Sequence, residues 1–348
     1  MKRAFTLLLS LLLVLAVFSG CGAKTETPAE SPAEAPEAAE TPVQEAESLG
    51  TIRLATLKGP TAMGLVGLTD NAEKGELSYD VESTIYGAAD EITALLIDGK
   101  LDMAAIPCNL AATLYAKTGG EIQVAAVNTL GVLYVIELGD SVSSIADLKG
   151  KTVYSTGKGT TPEYSLNAIL SANGIDPAAD LTIDFKSEAT EIAAYLTGDT
   201  AVSGTIAVLP QPYATTVLMS SPDARIALSF DEEWEKAGLS GKPVTGVLVV
   251  DKSFAEENPE LVNAFLSDYN ESVSWVNENT EAAANLIAAA GIVPKAPVAV
   301  KALPYCSIVF EQGADMKADI SAYLDVLFSQ NPKSVGGALP DDNFYYGV

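Results

Sequence analysis

Residues 89–116 read ADEITALLIDGKLDMAAIPCNLAATLYA. Ile92, Leu95 and Leu96 recur at helical spacing, so 89–97 is a helix with one apolar face. Asp98-Gly99-Lys100 stops it, because glycine takes the left-handed turn past a helix end with the least strain. Residues 101–106, apolar apart from Asp102, lack helical spacing and read as a strand, and 109–116 as the next helix. A strand between two helices belongs to a parallel sheet covered on both faces, an α/β layer architecture.

The same alternation extends outward. Strands are expected at 51–57, 79–86, 124–127 and 132–136, with a helix opening at 63–68. A second unit of the same plan begins near Asp140. It has a short helix at 145–150, strands at 152–155, 181–185 and 205–208, and helices at 163–173 and 188–196. A strand at 247–250 returns, and everything after Phe254 reads as helix, in three runs at 260–275, 280–290 and 314–328. The two units share a plan but no tandem repeat.

The chain ends add a location. Met1-Lys2-Arg3 precedes an uncharged, Leu-rich run at 4–18, long enough for a signal-peptide core and short for a membrane span, which needs about 20 residues. The run stops at Phe18-Ser19-Gly20-Cys21. Residues 22–48 hold seven Glu, one Lys and four Pro with no aromatic, a composition that stays extended and unfolded. Residues 1–20 are therefore expected to be a signal peptide, and 21–48 an acidic leash behind Cys21.

Composition removes most enzyme templates. The chain of 348 residues has no histidine, 20 Lys and Arg against 46 Asp and Glu, and a formal charge of −26. Without histidine there is no Ser–His or Cys–His nucleophile pair and no His-ligated metal or haem. The acidic balance argues against nucleic acid and against an anionic membrane surface. Three cysteines make neither a disulfide scaffold nor a four-thiolate zinc site. No cofactor or metal is expected.

Four features in order carry a resemblance. They are Ser19-Gly20-Cys21, the strand ending in Gly59-Pro60-Thr61, the phrase from Ala94 to Pro107, and Ile145-Ala-Asp-Leu-Lys-Gly-Lys-Thr-Val153 opening the second unit. Together they resemble the solute-binding lipoproteins of ABC importers, most closely the sulfonate, taurine, nitrate and thiamine-precursor group. Phe18 stands where that family prefers Leu. The resemblance implies a two-lobed, type II periplasmic-binding-protein-like fold, each lobe a mostly parallel sheet flanked by helices. Lobe one would be 49–136 with 246–348 and lobe two 137–245, with crossovers near 134–136 and 246–249. It also implies diacylation of Cys21 with an added acyl chain such as palmitate. The body would then stand on the extracytoplasmic face of the cell membrane, as a monomer partnered by a permease and an ATPase. Alternatives from other classes are a sensory or adhesive surface lipoprotein on the same fold, and an enzyme relative from the thiamine pathway. The missing histidine weakens the latter.

Ligand residues are expected where strands end at the inter-lobe cleft. Gly59, Pro60 and Thr61 join strand to helix, with Thr61 a possible N-cap and free N–H groups suited to an anion or carbonyl. Cys108 and Asn109 form the equivalent join, where Asn109 either caps or binds, and Cys108 either pairs with Cys306 or is a small buried apolar residue. Thr156, Gly157, Gly159, Thr160 and Thr161 lie in a Gly-rich loop, with a Thr160/Glu163 capping box or Thr161 as cap before Pro162. That loop fails as a P-loop, because Thr152 stands at the first glycine and Gly159 follows Lys158. Gln211 and Tyr213 end another strand, and Thr129 is near the first crossover. None of the three arginines lies in these loops. A small singly charged anion such as a sulfonate or nitrate-like ion, or a neutral thiamine-related heterocycle, therefore fits better than a multiply charged anion.

Overall fold

Strand β1 (Thr51–Leu57) buries one face through Ile52, Leu54 and Thr56 and the other only at Ala55, with Thr51 and Arg53 exposed. Its Ile52 and Leu54 enter one apolar cluster and its Ala55 another. The computed structural model describes residues 48–198 and 201–348; the expected signal peptide, Cys21 and the acidic leash to residue 47 lie outside them. The further strands are β2 (Asp80–Tyr86), β3 (Met103–Pro107), β4 (Ile122–Thr129), β5 (Leu133–Leu138), β6 (Thr152–Ser155) and β7 (Thr182–Phe185). They continue with β8 (Ile206–Pro210), β9 (Ala224–Ser229), β10 (Gly246–Asp251) and β11 (Ile308–Glu311).

Two helix-flanked sheets form, in the orders β11-β4-β10-β3-β1-β2 and β7-β6-β8-β5-β9. Pairing is parallel through β2-β1-β3 and β7-β6-β8, the part read from strand–helix alternation. The remaining pairs are antiparallel, so each sheet is mixed where mostly parallel pairing was expected. Connectivity explains this. β5 and β10 each arrive from the other sheet and start at the edge where the parallel strands end, so they must run the opposite way.

The passages between sheets differ from the expected crossovers. Residues 134–136 lie inside the fully buried β5, and 246–249 lie inside β10. Their β-forming side chains are those of interior strands. The links are instead 130–132 and 230–245, the second carrying the helix Phe230–Lys236. Two strands escaped the sequence reading, β9 and β11, the latter within the stretch expected to be all helix, and so did helices Tyr213–Ser220 and Phe230–Lys236. β11 is a four-residue edge strand, too short for its pattern to stand out between helices.

One apolar cluster runs through both halves, joining Ala55, Ile106 and Val127 of the first sheet to Val135, Val153 and Val208 of the second. Helix Gly313–Gln330 spans the join. Its Tyr323 packs on Trp234 with ring centroids 5.6 Å apart, and its hydroxyl lies 3.1 Å from Ser165 Oγ. The other face of the first sheet is covered by helix Pro259–Glu278, through Phe265 and Tyr269. Among the described residues no helix is long and apolar enough to cross a membrane.

Candidate functional site

Strands β1, β2 and β3 end at the same edge of the first sheet, and β6, β7 and β8 at the facing edge of the second. The links 130–132 and 230–245 join these two edges, so the loops after the parallel strands line the ground between the sheets. This is where open α/β sheets place ligands, because backbone N–H groups of the following helices point there.

Gly59, with φ of 135°, precedes helix Pro60–Met63 and is its cap. Pro60 takes the first helical position, which moves Thr61 inside the helix, so Thr61 is not the cap. Its hydroxyl instead donates to Leu57 O at 2.7 Å. Likewise helix Cys108–Thr118 is capped by Pro107, and Asn109 sits in its first turn. Asn109 is buried with both arms engaged: Oδ1 accepts from Thr161 Oγ1 at 3.1 Å and Nδ2 donates to Ser334 O at 3.3 Å. Asn109 belongs to the first half and Thr161 to the second, so two predicted site residues meet across the junction. Thr129 is fully buried beside Gly246, and its hydroxyl donates to Asn128 Oδ1 at 3.0 Å.

In the Gly-rich loop, Gly157 and Gly159 both take positive φ, 71° and 76°. A Cβ on Gly157 would lie 2.5 Å from Thr160 Oγ1. Thr160 is the cap of helix Thr161–Ala172, but its hydroxyl donates back to Gly157 O at 2.7 Å. Glu163 accepts from Gly159 N instead of the Thr160 N–H, so the expected capping box is displaced by one residue. Thr156 is half-buried, Gly159 and Thr160 are exposed, and Thr161 is buried as the first helical residue.

Gln211 follows β8, the central strand of the second sheet, and is 1% exposed. Its Oε1 accepts from both the N–H and the hydroxyl of Thr215, at 3.2 and 2.8 Å. Those two bonds fix the amide orientation and leave Nε2 buried with no partner. An orphaned buried donor carries a cost of about 1–3 kcal/mol unless something supplies an acceptor. Tyr213 is half-buried in the first turn of helix Tyr213–Ser220, and burial raises its phenol pKa.

Cys108 and Cys306 are both free and buried, and they belong to separate apolar clusters, so they do not pair. Burial raises the Cys108 thiol strongly and pushes Cys306 up to about 12. Arg53 is held by Asp102, and Arg225 by the fully buried Glu137. Neither guanidinium serves the junction. Lys58 and Lys158 follow β1 and β6 and have no ion-pair partner among the described residues. Lys158 Nζ stands 5.8 Å from the Phe185 ring centroid.

Several junction residues were not anticipated. Tyr134 Oη donates to Tyr305 O at 3.0 Å, and Asn331 Nδ2 donates to Tyr164 Oη at 3.3 Å. Asp231, at the start of the second link, lies against Gly131 of the first, and a pocket of about 350 Å³ opens beside them. These partners are 100 to 171 residues apart in sequence or sit on unforeseen elements, so local pattern held no signal for them.

The fold is shared with solved structures. An ABC transporter protein from Parabacteroides distasonis superposes with a TM-score of 0.71 at 22% identity, covering 85% of this chain and 98% of that one. The periplasmic aliphatic sulphonate-binding protein SsuA from Escherichia coli gives 0.65 at 18% identity, covering 83% and 96%. The periplasmic nitrate-binding protein NrtA from Synechocystis PCC 6803 gives 0.52 at 15% identity, covering 68% and 65%. No curated protein matches the sequence. The NMT1/THI5-like family profile matches residues 79–283, from β2 through both links into the helix Thr280–Ala289. The chain is a member of the NMT1/THI5-like family, with a type II periplasmic-binding-protein-like fold.

Proposed function

We propose that the protein is the extracytoplasmic solute-binding subunit of an ABC importer, capturing a small solute between its two sheets and delivering it to a membrane permease driven by an ATPase. The observation that carries this reading is the orphaned Nε2 of Gln211, buried at the end of a central strand and held in orientation by Thr215. A solute oxygen would satisfy it. Gly59, Pro60, Thr61, Cys108, Asn109 and Thr129 would face the solute from the first half. Thr156, Gly157, Gly159, Thr160, Thr161 and Tyr213 would face it from the second, chiefly through backbone groups where side chains are already engaged.

Arg53 and Arg225 are committed elsewhere, while Lys58 and Lys158 have no ion-pair partner among the described residues. That arrangement suits a singly charged anion such as a sulfonate or nitrate-like ion, or a neutral thiamine-related heterocycle. No covalent chemistry takes place, and hydrogen bonding with hinge closure does the work. In this reading residues 1–20 are a signal peptide and Cys21 carries diacylglycerol and a further acyl chain such as palmitate. The acidic leash to residue 48 then holds a monomeric two-lobed body near the cell membrane.

A thermal-shift screen tests it. The panel is aliphatic sulfonates, taurine, nitrate, thiamine and its pyrimidine precursor. A true solute at 100 times its Kd adds about 2.7 kcal/mol, a rise of a few degrees or more. The rise should shrink in Gln211→Glu. A well-folded protein that no member of the panel stabilises would count against the reading.

A further inference from the structure

The two links between the sheets touch at one place. Asp231 opens the helix of the second link, and its Oδ1 sits so close over Gly131 of the first that a Cβ there would lie 1.3 Å from it. Only glycine admits this approach. The oxygen is buried and accepts no hydrogen bond. Burial in that state costs a carboxylate far more than a protonated carboxyl. We propose that Asp231 is a proton-operated latch on the junction: protonated, it seats on Gly131 and holds the two links together; ionised, it leaves that seat and loosens them.

The charged and titratable groups around it leave this role open. On its own helix Glu232 opposes a further negative charge, and Glu235 lines the same pocket. From β5 Tyr134 approaches, with Tyr305 and Cys306 beside it from the segment just before β11; burial raises the Tyr134 phenol and the Cys306 thiol, so both are neutral near pH 7. The one cation at the pocket, Lys242, is drawn away by Glu311 at 3.2 Å and Asp319 at 2.9 Å. Burial, with the nearby charge of Glu232, pushes the Asp231 carboxyl up to about 6. The chain has no histidine, the residue that ordinarily titrates between pH 5 and 8. Among the described carboxyls Asp231 alone is shifted upward, while Glu137, Asp147, Asp180 and Asp341 are shifted down.

The absence of histidine gives the test a quiet background. Trp234 is buried one turn along the same helix and lines the same pocket. In the full-length Trp275→Phe protein, Trp234 fluorescence is followed from pH 4.5 to 8 without solute, with small-angle scattering at both ends. The expected result is one transition with a midpoint near pH 6 and a larger radius of gyration above it. Asp231→Asn, nearly the same shape, should abolish both changes and keep the low-pH state throughout. Glu232→Gln should move the midpoint down. A transition that survives in Asp231→Asn, no transition in the parent, or a fluorescence change with constant dimensions would each overturn the latch. None of these outcomes depends on which solute the protein binds.

Discussion

Single side chains set the terms at the junction. Gly131→Ala puts a methyl group where Asp231 Oδ1 lies, so at acid pH, where the carboxyl is seated, it must be forced out. Overpacking of this kind costs about 1–3 kcal/mol, which chemical denaturation will read as a lower midpoint at unchanged slope. Glu137 is a stronger case. Burial alone would raise its pKa, but the Ser141 hydroxyl, the N–H groups of Val142 and Ser141, and Arg225 outweigh it and hold the carboxyl down. Its contribution is therefore complete above the ordinary carboxylate range and is lost as pH falls through the lowered value. Arg225→Ala should remove about 1–3 kcal/mol at pH 7, since Ser141 and Val142 still bond the carboxylate, with a smaller deficit in acid, measured by unfolding at both pH values. Cys108 and Cys306 offer a simpler check. Buried and with raised pKa values, they should resist Ellman's reagent at pH 8 in the native protein and react once it is unfolded in guanidinium.

At the scale of elements, the junction is held by helix starts and ends, and the bond from Thr161 to Asn109 is its most direct tie. A double-mutant cycle with Asn109→Ala and Thr161→Val should give a coupling energy of about 0.5–1.5 kcal/mol in unfolding experiments, and a value near zero would remove the tie from the account. This is also the scale at which the sequence was most and least readable. The helix Ala89–Ile97 and strand β6 carry their signals locally, in apolar spacing and glycine stops, and they occur where the pattern put them. β11 and the helix Ala296–Ala302 do not, being short and flanked by stronger helical runs. Strand direction was half legible. Alternation with helices announces parallel neighbours, but β5 and β10 run backwards because of which sheet the chain comes from, a fact of topology that no window of residues contains. Thr61 and Thr160 show the same limit at helix starts: residue type marked the cap region, while Pro60 and Gly157 decided what the hydroxyls do.

For the whole molecule, two mixed sheets face each other across the ends of their parallel strands, tied by two links and one shared core. Segments read as binding loops from sequence do gather there, and the side chains of Thr61, Asn109, Thr129 and Thr160 are bonded within the protein. Gln211 is the exception, a buried donor with its orientation set and no acceptor. In the proposed reading a small solute supplies that acceptor, and which one depends on cavity shape, and so on contacts that only the folded chain makes. The most direct measurement is isothermal titration calorimetry of the sulfonate, taurine, nitrate and thiamine-precursor panel against the wild type and Gln211→Glu. The variant keeps an acceptor for Thr215 and replaces the free donor with an oxygen. One-to-one binding of a panel member, weakened about 10–100-fold in the variant, is the predicted result. Equal affinity in both proteins, or no saturable heat from any member, would contradict a solute held between the two sheets at Gln211.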